Sequence, residues 1–85
     1  MHKISTRLSV SQVAYVLKVM HELGLITAKS QWDMFRFVQE NISSKKTDTI
    51  YAHRLNNKYY NVEGATKTSI KELLLRMLHH INTYK

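Results

Sequence analysis

Apolar residues recur at helical spacing in four stretches of this chain. Val13, Val16, Leu17, Met20 and Leu23 repeat at i, i+3, i+4, i+7 and i+10, which is one face of a helix. Ser9-Val-Ser-Gln12 has the S-x-x-Q form of a capping box, and Gly24 supplies the left-handed residue on which helices end. Gln12, Tyr15, Lys18 and Glu22 fall on the opposite, outward side, with His21 beside the apolar face as a packing residue. Leu25 and Ile26 are expected to fold back onto the end of this helix. A second stretch opens on Ser30-Gln-Trp-Asp33, a Ser at the N-cap and an acid in the first turn, where the helix dipole favours it. It runs to about Asn41 with Met34, Phe35, Val38 and Ile42 inward, Trp32 in the core, and Asp33, Arg36 and Glu40 free to pair outside.

The third stretch, residues 50–61, places Ala52, Leu55 and Tyr59 at i, i+3 and i+7. Its other side carries His53, Arg54, Asn57 and Asn61, flanked by Lys58 and Tyr60. A helix over about residues 49–60 is predicted, capped by Asp48 or Thr49. Asn56-Asn57 disfavours a helix interior by roughly 0.5 kcal/mol per residue, so either the helix ends there or the amides serve what they touch. The fourth stretch is the cleanest: Ile70, Leu73, Leu74, Met77, Leu78 and Ile81 all fit one stripe. Ser69-x-x-Glu72 offers a capping box, with a start as early as Thr66, and Leu75 lies opposite with Lys71 and His79. Residues 1–8 read as a flexible N-terminal arm and residues 61–64 as a turn. No strand pattern stands out, and residues 61–66 are short for a two-strand wing.

These elements predict one all-α domain over residues 1–85, a compact bundle of four helices. The first and fourth helices form its core. The second and third form a helix-turn-helix-like, winged-helix-related pair. Two Gly, no Pro and a 44% apolar content suit that class. The absence of Cys removes disulfides, thiolate metal sites and thiol nucleophiles. Apolar runs of five residues or fewer exclude a membrane span, which needs about 20, and no signal-peptide region follows Met1. A cytoplasmic protein is expected.

Charge changes the picture. Thirteen Lys and Arg stand against six Asp and Glu, giving +7, a balance that favours a polyanionic partner. Residues 41–62 hold four cations, Lys45, Lys46, Arg54 and Lys58, against the single acid Asp48. Arg and Asn match guanine and adenine edges in a major groove, so Arg54 and Asn57 are candidate base contacts on double-stranded DNA. Lys45 and Lys46 at the loop tip, with Lys58 and Lys67, are candidate phosphate contacts. Phe37, Tyr60 and Leu75 are candidate protein-interface residues for a homodimer or another partner. No catalytic constellation appears, and His79-His80 point about 100° apart on a helix, so neither an enzyme, a metal, a cofactor nor a small-molecule substrate is expected.

The run Val13-Ala-Tyr-Val-Leu-Lys-Val-Met-His-Glu-Leu-Gly-Leu-Ile26, the helix with Phe35 and Phe37, His53-Arg-Leu-Asn-Asn-Lys-Tyr-Tyr60 and Ala65-Thr-Lys-Thr-Ser-Ile-Lys-Glu-Leu-Leu-Leu-Arg-Met77 carry a resemblance. Together they resemble the C-terminal region of the RteC family, regulators of excision in conjugative transposons of Bacteroides-type bacteria, and similar short helical mobile-element proteins. The resemblance implies a winged-helix-like DNA-binding unit that activates transcription of excision genes, with Arg54, Lys58 and Lys67 as basic contacts. The chain departs from the family in lacking its long N-terminal region and in carrying Asn56-Asn57 where members are more basic. It therefore reads as a regulator of a mobile element, as a fragment of a longer one, or as an accessory interaction module that binds no DNA itself.

Overall fold

In the computed structural model, which describes residues 3–83, Ser9 opens the first helix as its sequence demands. Its hydroxyl accepts the Gln12 N–H at 3.2 Å, and Gln12 Oε1 accepts the Ser9 N–H at 2.8 Å, closing the capping box. The chain then runs β1 (Ile4–Ser5), α1 (Val10–Glu22), α2 (Gln31–Asn41), β2 (Ile42–Ser43), α3 (Ala52–Tyr60) and α4 (Gly64–Thr83). Helix α1 ends at Leu23, and Gly24 follows with a φ of 73°, the left-handed turn expected there. Ser30 caps α2 through the Asp33 N–H at 3.2 Å, and Asp33 pairs with Arg36 at 3.8 Å on its solvated side.

Helix α1 is the element the others cover. Every residue from Val10 to His21 is at least partly buried, including those expected to face out. Gln12 Nε2 donates to Ser69 Oγ of α4 at 3.0 Å, and Lys18 Nζ donates to the Tyr59 carbonyl at 3.1 Å. The core joins Val10, Val13 and Ala14 of α1 to Met34, Phe35 and Val38 of α2 and to Ala52, Leu55 and Tyr59 of α3, with Ile50 just before that helix. Phe35, Ile50 and Leu55 are fully enclosed.

The expected pairing of the first and fourth helices as the core is therefore corrected: α2 and α3 fill that place. Helix α4 buries only Thr66 and Ile70, and from Leu74 onward each of its described residues is exposed. An apolar stripe states that a face wants cover, and it does not state which element supplies the cover. The same distinction applies to Trp32, expected inside but 42% exposed and set edge-on against Phe35 at 5.8 Å. Leu23 and Leu25 are exposed, whereas Ile26 packs against the core as expected.

Residues 3–8 are not a loose arm, although Met1 and His2 lie outside the described residues. Strand β1 pairs in parallel with β2, Ile4 opposite Ile42 and Ser5 opposite Ser43. Thr6 extends the link with its N–H and hydroxyl on the Ser43 carbonyl, at 3.1 and 2.8 Å. Lys3 Nζ donates to the Asp48 carbonyl at 2.9 Å. Strands of two residues have no periodicity to read, which is why the pattern showed none.

Helix α3 begins at Ala52 rather than near residue 49. Its N-cap is Tyr51, and neither Asp48 nor Thr49 caps it. Gln39 of α2 does so instead, its Oε1 accepting the Ala52 N–H at 2.8 Å. Asn56-Asn57 stays helical, and the helix ends at Asn61. Residues 61–63 form a short turn with no strand, and α4 starts at Gly64. Ser69 is thus an interior residue, its hydroxyl donating to the Thr66 carbonyl at 2.9 Å, and not a cap.

Tyr59 ties these helices together. Its ring meets Phe35 at 5.4 Å, and its hydroxyl shares a 3.1 Å hydrogen bond with His21 Nδ1. Burial, then the Glu22 charge and the neighbouring Tyr60, push the Tyr59 phenol above its usual value.

Leu55→Ala is expected to destabilise the fold by about 2–5 kcal/mol, while Leu25→Ala stays within about 0.5 kcal/mol, both read by denaturant unfolding. For Tyr59, the native state keeps a proton that the unfolded state loses near pH 10. Its contribution is intact below that pH and falls away above it, and Tyr59→Phe should flatten that part of the stability–pH curve.

Candidate nucleic-acid interface

The connection from α2 to α3 is folded back on itself by one buried serine. Ser44 Oγ accepts the N–H groups of Lys46 at 3.3 Å and Thr47 at 3.2 Å, and the Ser44 N–H donates to the Thr47 carbonyl at 3.0 Å. Thr47 repeats the device one step on, its hydroxyl donating to the Thr49 carbonyl at 3.1 Å. These are the local side-chain turns that Ser and Thr favour. The Lys45 N–H then donates to the Leu8 carbonyl at 3.0 Å, strapping the loop to the residues just before α1. Lys45 and Lys46 are left exposed at the tip.

A cleft of about 410 Å³ opens beside this loop. Lys45, Lys46 and Thr47 form one wall, Arg54 and Lys58 of α3 a second, and Ser9 to Ser11 at the start of α1 a third. All four cations of residues 41–62 meet there, and no carboxylate lines it. Arg54 and Lys58 sit one helical turn apart on α3 and so reach the same side. The nearest compensation is Glu63, 4.0 Å from Lys58 with its side chain 68% exposed, a pair that solvent and salt screen heavily. Val10 and Ser11 occupy the first turn of α1, where amides have no partner within the helix and an anion is favoured. Such a cleft can hold phosphate groups by charge and hydrogen bonding together.

The other candidates distribute differently. Asn57 is exposed on α3 outside the cleft lining, and its Oδ1 accepts from Asn61 Nδ2 at 2.8 Å. An adenine contact through both amide atoms has to displace that bond. Lys67 stands exposed on the first turns of α4, also outside the cleft. Phe37, 62% exposed, borders a small apolar hollow with Leu17, Ile26 and Met34. Tyr60 bonds through its hydroxyl to Gln31 and lies edge-on to Tyr59. Leu75 is exposed on α4, so the three interface candidates occupy three different helices. Among the described residues, no three His, Asp or Glu side chains come together as a metal site, and no helix is long and apolar enough to cross a membrane.

Sequence reasoning missed Ser9, Ser11, Ser44 and Thr47 as parts of this cleft. Ser9 reads as a cap and nothing more, and the loop has no periodicity to assign its residues a side. The adjacent serines and threonines around the lysine pair were the one available signal. The chain matches no known protein family, no characterised protein and no solved structure.

Ser44→Ala leaves the Lys46 and Thr47 amides without their acceptor. It is expected to cost about 1 kcal/mol of stability and to speed hydrogen exchange at those two amides well beyond the change elsewhere in the fold.

Proposed function

We propose that this protein binds double-stranded DNA through the basic cleft and the outer side of α3, as a regulator of the mobile-element kind. The convergence of Lys45, Lys46, Arg54 and Lys58 on an acid-free cleft carries this reading. Lys45, Lys46 and Lys58 hold phosphates, Arg54 reaches from the same wall to a base edge, and Asn57 reads beside it. Lys67 contributes a more distant phosphate contact. The resemblance to the RteC C-terminal region points the same way, with Arg54 and Lys58 in its basic helix.

In this reading α3 is the groove-facing helix and α2 the helix behind it. Their connection, residues 42–51, is longer than the three or four residues of a helix-turn-helix turn. The added length carries the lysine pair toward the backbone of the duplex. Binding domain, rather than enzyme, is the reading that an open basic cleft supports.

Duplex binding measured over a range of salt tests it. Four phosphate contacts give a slope of log K against log salt of roughly −3.6, and Lys45→Ala/Lys46→Ala should reduce its magnitude by about 1.8. Arg54→Ala should cost about 1–3 kcal/mol on a preferred site and less on random duplex. No binding at low salt would overturn the proposal, and an equal loss on both duplexes would make Arg54 a phosphate contact only.

A further inference from the structure

Helix α4 is twenty residues long, about 30 Å, and its distal half touches little of its own chain. Yet that half is not built as a solvated helix. Leu74, Leu75, Met77, Leu78 and Ile81 are each between 52% and 66% exposed. Leu74, Met77 and Ile81 keep the 3-4 spacing of a heptad seam and Leu78 widens it, while the buried Ile70 and half-buried Leu73 carry the same stripe back into the body of the fold. Isolated helical segments this short are marginal in water, so the geometry asks for a cover.

We propose that the distal half of α4 packs against the same segment of a second copy of this chain. Leu74, Met77, Leu78 and Ile81, with the side-chain stems that flank them, present roughly 500 Å² in one copy, so a pair buries about 1,000 Å², the lower bound of a stable interface. A heptad seam is self-complementary and suits a two-fold contact in which one surface serves both partners. Charge permits it as well. Lys71 and Arg76 against Glu72 leave this stretch near neutral in a chain of +7, and no residue of α4 lines the basic cleft. Two copies therefore meet away from the most basic part of the chain, and the cleft of each stays open. The contact stands independently of what the cleft binds.

Sedimentation equilibrium of the chain at low and high micromolar concentration tests this. The expected mass at the higher concentration is twice the 10.0 kDa of one chain, and Met77→Glu/Ile81→Glu should return it to one chain with cooperative unfolding intact, since both positions are exposed in the monomer. Lys45→Ala/Lys46→Ala should remain dimeric, which separates this contact from the cleft. Because the chain has no Cys, Leu78→Cys gives a second readout: mild oxidation should yield a covalent dimer, and Thr68→Cys, nearer the body, should not. A single-chain mass at both concentrations, or a dimer that survives Met77→Glu/Ile81→Glu, would overturn the proposal.

Discussion

Helix α3 is held at both ends by other helices, and the rest of the structure depends on that. Nine residues with adjacent asparagines and no side-chain N-cap of their own are far below the length at which a helix sustains itself. Gln39 of α2 satisfies its first amide, and Lys18 of α1 donates to the Tyr59 carbonyl in its last turn, where the helix dipole also favours a cation. Between those ends Ala52, Leu55 and Tyr59 sink into the core. The helix is tertiary structure before it is secondary structure. Its outward residues, Arg54, Asn57 and Lys58, are aimed by contacts that none of them makes.

The loop before it obeys the same logic on a smaller scale. Ser44 and Thr47 fold it locally, and the Leu8 carbonyl fixes its tip to the segment entering α1. Strand β1 in turn fixes that segment to β2, so residues 3–8 act as a brace between the first turn of α1 and the lysine pair. The cleft is a joint product of the loop before α3, α3 itself and the distant start of α1. Its charge comes from one compact stretch of chain, but its shape comes from the brace.

This explains which features the sequence could disclose. Helical spacing located α1, α2 and α4 and the buried side of α3, because burial on one face leaves a periodic trace. The capping box at Ser9 and the cap at Ser30 were readable because the cap and its partner lie three residues apart. Gln39 as the cap of α3 was not, since it lies thirteen residues from Ala52 and no local rule joins them. The cations of residues 41–62 were visible as a cluster in sequence, and they remain one in space because the connection turns back beside its own helix. Asn57, expected to read bases, shares its amide oxygen with Asn61, an i,i+4 pairing that the spacing allowed but did not require.

The largest departure, α4, follows from a limit of the same reasoning. Its stripe is more regular than that of α1, and regularity suggested a central place. Centrality, however, needs apolar or paired contacts on every side, and α1 achieves this with Gln12 and Lys18 serving where apolar residues do not. Helix α4 has apolar residues on two sides, and past the half-buried Leu73 each of its described residues is exposed. A strict stripe with uncovered apolar neighbours such as Leu75 is the feature on which the proposed contact with a second copy rests. The regularity that misplaced α4 within the fold is, on this argument, the trace of a second interface rather than of the first core.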